Sequence, residues 1–228
     1  MNKPLVIITG ASSGIGKCLA ITFSKAGYPL GLISRNLNAM QELNLTNSVC
    51  ISADVTNYNA LSNAINDIEE KLGPVDCLIN NAGFAKSGDF TEVSNDDHEH
   101  TISVNVSGVI HGIKSVLPSM RGRKRGTIIN ISSVADRHGR PNIATYAASK
   151  AAVKSLSESL RQANAKYGIR VCNIAPAKIL TPMLMTSHLN EEQAIMPEDF
   201  AKAVLWVYEQ PQTICIRDMV FAPTFYEA

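Results

Sequence analysis

The chain has 228 residues, of which 45% are apolar and 18% charged, with a formal net charge of +1. That balance excludes a disordered chain and leaves material for a sizeable core. It also supplies no field to gather nucleic acid or an anionic membrane, and no apolar run approaches the ~20 residues of a membrane span.

In chain order, short β-branched runs alternate with longer helical patterns. The strand candidates are LVIIT, PLGLIS, SVCIS, DCLIN, GTIINIS, IRVCNIA and a final TICIRDMVFAP. Helical patterns begin near Gly14, Leu37, Asn57, Asn95, Thr145 and Pro197. This alternation is the signature of βαβ units, and near-continuous apolarity in most strands points to a parallel sheet covered on both faces. No composition shift or repeat divides the chain, so one domain over residues 1–228 is expected, with right-handed crossovers. The irregular segment 182–196, with Met183, Leu184, Met185 and His188, follows a strand end and reads as a substrate lid.

Cys18, Cys50, Cys77, Cys172 and Cys215 are odd in number and never spaced as a metal or redox pair, so they read as reduced thiols. The N-terminus enters an apolar run without signal-peptide architecture, and a cytoplasmic location is expected. RGRKRG, from Arg121 to Gly126, reads as a solvated loop between a helix and a strand. His98, His100, His111, His138 and His188 form no recognisable ligand set, and no metal is expected.

VIITGASSGIGKCLA runs strand, glycine turn, helix, with Gly10, Gly14 and Gly16. Such a turn brings backbone N–H groups and a helix N-terminus against a pyrophosphate, where a Cβ would intrude; Ser12 and Ser13 add hydroxyl donors. The three-then-one glycine spacing resembles the short-chain dehydrogenase/reductase family, which implies a doubly wound Rossmann fold with a seven-stranded sheet in the order 3-2-1-4-5-6-7.

The resemblance extends from Lys3 to about Thr224. Ser34 stands where NAD-preferring members carry Asp, and Arg35 follows it; an arginine there accommodates a 2′-phosphate, so NADP(H) is expected over NAD(H). By the same resemblance Ile15 belongs to the pyrophosphate turn, Asp54 and Val55 meet the adenine, and Asn81, Ala82 and Gly83 line the adenine-ribose side. Asn80 reads as a strand-to-strand tie. Pro176, Ile179 and Thr181 in NIAPAKILTPM match the nicotinamide-side segment.

Tyr146 and Lys150, at i and i+4, share one helical face. Reducing a carbonyl leaves an alkoxide that needs a proton, and the reverse reaction needs a base. A free phenol, with a pKa of about 10, becomes useful at neutral pH if a nearby ammonium lowers it. The pair alone is a common accident. Ser133, thirteen residues before Tyr146, stands at the family's spacing for the serine that polarises the substrate oxygen, with Ser132 the neighbouring choice. Asn105 is an awkward residue mid-helix; in the family an asparagine there interrupts its helix and links the lysine to solvent.

The resemblance therefore implies Tyr146 as acid or base, Ser133 as orienting group, Lys150 as tuner of the phenol and holder of the nicotinamide ribose, and Asn105 as keeper of a proton relay. It implies an NADP(H)-dependent oxidoreductase acting on a ketone, aldehyde or secondary alcohol, including small hydroxy acids. A dinucleotide-sensing protein without turnover is the alternative from another class, and an extended-family epimerase or dehydratase is disfavoured by the glycine spacing. A homotetramer or homodimer is implied, built on the helices carrying Asn105 and Tyr146, where Ala147, Ala148, Ala151 and Ala152 permit close packing. Two departures stand out: Ala177 replaces the usual glycine, and Asp136 puts a carboxylate near the expected substrate mouth.

Overall fold

The computed structural model describes residues 3–181 and 193–226. Its regular elements are β1 (Leu5–Thr9), α1 (Gly14–Lys25), β2 (Leu30–Ser34), α2 (Leu37–Gln41), β3 (Ser48–Ser52), α3 (Tyr58–Leu72), β4 (Val75–Asn80) and α4 (Asn95–Ile102). A π-helical segment, Ser103–Ser107, joins α4 to α5 (Gly108–Arg123); then come β5 (Gly126–Ile131), α6 (Ala144–Asn164), β6 (Ile169–Pro176), α7 (Pro197–Glu209) and β7 (Asp218–Phe221). The expected lid falls mostly on 182–192, outside the described residues. Of its end, Ile195 pairs with Ile179, its N–H donating to the Lys178 carbonyl at 2.8 Å.

The strands form one parallel sheet in the order β3-β2-β1-β4-β5-β6-β7. In β1, Val6 and Ile8 enter the core under α1 and α7, while Leu5 and Ile7 enter the core under α3, α5 and α6. Both faces are covered, which is why the run shows no alternation in sequence. Each such Leu or Ile contributes roughly 1.5–3 kcal/mol by leaving water. The strand order reverses between β1 and β4, and the crevice at their carboxyl ends is where ligands bind in open α/β sheets.

Helix starts follow local chemistry. Asn36, Asn57 and Ser94 accept from the N–H groups of Ala39, Ala60 and Asp97, satisfying first-turn donors of α2, α3 and α4. Pro197 opens α7 with Glu198 and Asp199 in its first turn. Asn80 donates to Asn130 at 2.8 Å, and Asn130 to Ser157 at 2.9 Å, tying β4, β5 and α6 through a buried polar chain.

Two expectations need correction. Only Asp218–Phe221 of the last apolar run is strand. The residues before it turn back, Ile214 N–H donating to the Pro211 carbonyl, and pairing with β6 begins where Asn173 N–H meets the Arg217 carbonyl at 2.9 Å. RGRKRG is exposed from Arg121 to Arg125, as expected, but only Lys124 and Arg125 lie outside regular elements. Arg121–Arg123 complete α5, Lys124 caps it in a left-handed conformation, and the bases find partners on distant elements. Arg121 donates to Asn164 at 2.7 Å, Arg123 to the Val75 carbonyl at 2.6 Å, and Arg125 to the Asp76 carboxylate at 2.7 Å.

Candidate active site

At the end of β1 the chain turns through Gly10 (φ +67°) into α1, whose first residue, Gly14, is also left-handed (φ +52°). A Cβ on Gly16 would lie 2.1 Å from the Gly10 carbonyl oxygen, and one on Gly10 would lie 2.8 Å from the Ala82 Cα. Backbone and helix therefore close on one another at distances only glycine allows. Ser13, the N-cap, makes no side-chain cap bond, and the first turn of α1 carries no acidic residue. The dipole end with its N–H groups is thus clear of competing carboxylates of its own helix and suits a pyrophosphate, Ile15 and Ser12 flanking it. Thr181 approaches from the segment after β6, its side chain 3.5 Å from the position of a Cβ on Gly14.

Asn81 braces this turn from the neighbouring strand end, donating to the carbonyls of Thr9 and Gly10 at 3.1 and 3.3 Å. Thr9 Oγ1 accepts the N–H groups of Asn81 and Ala82. Thr9 was not among the expected residues; only its place at the strand end could have signalled it. Gly83 follows, close to Asn105 and Lys150. Val55 is buried beneath α5, with its carbonyl 2.9 Å from a His111 ring nitrogen.

Arg35, its side chain 70% exposed, lies 4.0 Å from Asp54. Ser34 bonds locally to Asn36. Burial pushes the Asp54 carboxyl up, but the Thr56 amide and hydroxyl and the Arg35 charge outweigh it and hold it below its ordinary value. An exposed guanidinium without an acidic residue at the end of β2 is an arrangement that can take a phosphate dianion.

The structure brings Asn105, Ser133, Tyr146 and Lys150 together. Asn105, 0% exposed, occupies the π-helical segment, a geometry that frequently marks functional sites. Its carboxamide mimics a strand: Oδ1 accepts the Phe84 N–H at 2.8 Å and Nδ2 donates to the Phe84 carbonyl at 2.9 Å. The other Nδ2 bond, 2.9 Å, reaches Ser149, whose hydroxyl bonds the Tyr146 carbonyl at 2.6 Å. Sequence reading passed over Ser149; its place just before the lysine was the available signal.

Lys150 is 5% exposed, and its ammonium donates to the Ile131 carbonyl at 2.9 Å while standing 5.5 Å from the Tyr146 ring centroid. Burial lowers its pKa to about 8, against the opposing pull of Asp136. Burial pushes the Tyr146 phenol above its ordinary value; the nearby Ser133 hydroxyl pulls it down, and Asp136 pushes it further up.

Ser133 caps the 3₁₀ turn Val134–Asp136, accepting from Ala135 N–H at 3.2 Å. Ser132 is turned the other way: its hydroxyl donates to Asp136 at 2.9 Å. Asp136 does not stand at the substrate mouth. Its side chain is 0% exposed, held by Ser132, by Asn173 at 2.9 Å and by Arg137 at 2.6 Å. Pro176 closes β6 and Ile179 follows it, both buried, and Ala177 N–H bonds the Phe221 carbonyl at 2.7 Å, so the departure at Ala177 sits in a turn pinned to β7. Among the described residues no group of three His, Cys, Asp or Glu could hold a metal ion, and no helix is long and apolar enough to cross a membrane.

The family description for short chain dehydrogenases matches residues 4–192. An uncharacterized oxidoreductase of Staphylococcus saprophyticus is 32% identical, with 98% of each chain covered. The closed form of serine dehydrogenase complexed with NADP+ is 28% identical, with a TM-score of 0.92 over 98% of this chain and 96% of that one. A 3-ketoacyl-(acyl-carrier-protein) reductase from Brucella melitensis complexed with NADH is 26% identical, with a TM-score of 0.89 over 95% and 96%. The sheet order agrees with these matches, and the chain belongs to the short-chain dehydrogenase family of oxidoreductases.

Proposed function

We propose that the protein is an NADP(H)-dependent oxidoreductase that interconverts a ketone or aldehyde with the corresponding alcohol, small hydroxy acids included. The observation that carries this reading is the convergence of Ser133, Tyr146 and Lys150, together with a glycine turn in which Gly10 and Gly16 leave no room for a Cβ. When bound, the dinucleotide supplies the hydride in reduction and accepts it in oxidation.

The chain's residues do the remainder. The turn from Gly10 through Ser12, Ser13, Gly14, Ile15 and Gly16 holds the pyrophosphate, and Arg35 takes the 2′-phosphate. Asp54, Val55, Asn81, Ala82 and Gly83 border the adenosine half, and Pro176, Ile179 and Thr181 the nicotinamide half. Ser133 fixes the substrate oxygen by hydrogen bonding, and Tyr146 gives that oxygen a proton in reduction and recovers it in oxidation. Lys150 holds the nicotinamide ribose and stabilises the phenolate when it forms. Asn105 keeps Phe84 and, through Ser149, the turn bearing Tyr146 in place.

Support for an acidic substrate comes from Arg140 and Lys178, on the segments before α6 and after β6. Both lie over the Tyr226 ring, at 6.0 and 5.8 Å, and neither pairs with a carboxylate among the described residues. Support for a homodimer or homotetramer comes from exposed Ile110 on α5 and exposed Ala148, Ala151 and Ala152 on α6, which leave those helix faces free to pack.

The test is NADPH consumption over a panel of ketones, aldehydes and oxo acids, with wild type beside Tyr146→Phe. The reading expects turnover by wild type and a loss of at least about a hundredfold in the variant. Tight NADPH binding by both with no turnover by either would replace it with the sensing alternative.

A further inference from the structure

The segment from Gly83 to Ser94 joins β4 to α4 and starts beside the Lys150 amine. A Cβ on Gly83 would stand 3.9 Å from Lys150 Nζ, and the next residue, Phe84, is fixed by both of its bonds to the Asn105 carboxamide. Asp89 organises the middle. Its carboxylate accepts the Thr91 N–H at 2.9 Å and the Thr91 hydroxyl at 2.6 Å, and its carbonyl accepts the N–H groups of Glu92 and Val93, both at 3.1 Å. An irregular stretch thereby becomes a compact turn that moves as a unit.

Two contacts hold that turn to the approach and first turn of α6. Gly88 N–H donates to the Asn142 carbonyl at 2.9 Å. The second contact is made by His98 of α4, whose ring lies against that of Phe90 with centroids 4.8 Å apart. Its two nitrogens face opposite partners: Nε2 is 3.3 Å from the Phe90 carbonyl oxygen, and Nδ1 is 2.7 Å from the Thr145 hydroxyl. A carbonyl only accepts, which assigns the proton to Nε2 and leaves Nδ1 to accept from Thr145. Thr145 directly precedes Tyr146 in the first turn of α6. His98 and Thr145 are half-buried and Phe90 is 60% exposed, so little apolar burial supports this contact and the imidazole carries it.

We propose that His98 is a positioning residue for the substrate: its two-sided imidazole clasps the turn after β4 against the helical turn bearing Tyr146, and so fixes one wall of the substrate crevice. The inference rests on the redox reading above, in which Ser133 and Tyr146 hold the substrate oxygen. β4 and β5 are neighbours in the sheet, and the clasped turn and the segment carrying Ser133 both leave from their carboxyl ends. A wall already held in place has less ordering to undergo when substrate enters, so the clasp lowers KM while taking no part in proton transfer.

The experiment compares wild type with His98→Ala, Thr145→Val, Thr145→Ser and the double variant His98→Ala/Thr145→Val. Steady-state kinetics are read on a carbonyl compound that wild type reduces, and hydrogen exchange of the amides of residues 84–94 is read by mass spectrometry, which needs no turnover. His98→Ala and Thr145→Val each raise KM about fivefold to tenfold, with kcat, NADPH affinity and urea midpoint close to wild type, and each speeds exchange of those amides at least about threefold. The double variant is no worse than either single one, because both break the same bridge. Thr145→Ser, which keeps the hydroxyl, keeps the wild-type KM. With cofactor affinities unchanged, the equilibrium constant makes kcat/KM for alcohol oxidation fall by the same factor as for reduction. A wild-type KM in His98→Ala and Thr145→Val would overturn the proposal, and so would a rise in KM that comes only with a matching loss of kcat and of the urea midpoint, which would leave His98 a brace of the fold. Should no carbonyl compound turn over, the redox reading fails, and unchanged exchange in both single variants then overturns the clasp on its own.

Discussion

Gly16→Ala is the sharpest perturbation of the cofactor cradle. The new methyl carbon would sit 2.1 Å from the Gly10 carbonyl oxygen, 2.5 Å from Asn81 Nδ2 and 2.8 Å from the Gly10 carbonyl carbon. Two of these neighbours are backbone, and the third is a side chain already holding the Thr9 and Gly10 carbonyls. Nothing flexible can yield, so the turn itself must move by about an ångström, at roughly 2–3 kcal/mol. For a chain of this length that lowers the melting temperature by roughly 5–10 °C.

Gly14→Ala provides the contrast. Its methyl would meet Thr181 at an ordinary 3.5 Å, so only the left-handed backbone (φ +52°) resists it, at about 1–2 kcal/mol. Urea unfolding, with NADPH affinity by titration calorimetry, separates the two. Gly16→Ala loses more stability than Gly14→Ala and at least about tenfold in NADPH affinity. A Gly16→Ala protein with the wild-type urea midpoint and wild-type NADPH affinity would refute the close approach of α1 to β1.

Three further outcomes follow from other parts of the molecule. Arg35→Ala weakens NADPH by about tenfold relative to NADH, and Arg35→Asp reverses the preference, both read from KM for the two cofactors. Lys150 has a folded pKa of about 8 against 10.5 unperturbed, so its buried charge costs stability below pH 8, and that cost fades as pH rises from 8 to 10.5. Lys150→Met is accordingly inactive yet more stable than wild type near neutral pH by about 1–2 kcal/mol, an advantage that shrinks in urea titrations repeated towards pH 10.5. Asn130→Ala strips the buried Asn80 amide of its acceptor, while Ser157 keeps its bond to the Val153 carbonyl, and lowers the unfolding free energy by about 1–3 kcal/mol, measured by urea denaturation.

The residues legible in the sequence are those whose geometry is local. Tyr146 and Lys150 share a helix face by spacing alone, the glycines of the first turn announce a backbone that admits no Cβ, and Asn105 was out of place in any regular helix. The apolar runs marked every strand except the extent of the last, where an edge position and the turn at Pro211–Ile214 overrode β propensity.

What was illegible depends on partners far along the chain. Asp136 read as a charge near the substrate because only part of its cage, Ser132 and Arg137, is local; Asn173 is 37 residues away, and Asp218, which shares Arg137, lies on the last strand. The partners of the basic run, Val75, Asp76 and Asn164, were illegible because they come from β4 and α6. The hold of the Ile131 carbonyl, at the end of a separate strand, on the Lys150 ammonium is another contact that spacing along α6 does not show.

Transfer of deuterium from nicotinamide-deuterated NADPH into the product alcohol, read by mass spectrometry, addresses the redox assignment without relying on rates. Wild type incubated with a panel of carbonyl compounds, oxo acids among them, is expected to deliver one deuterium into at least one product, and Tyr146→Phe to bind the cofactor while delivering almost none. Binding of the labelled cofactor by wild type with no label reaching any product across the panel would contradict the assignment.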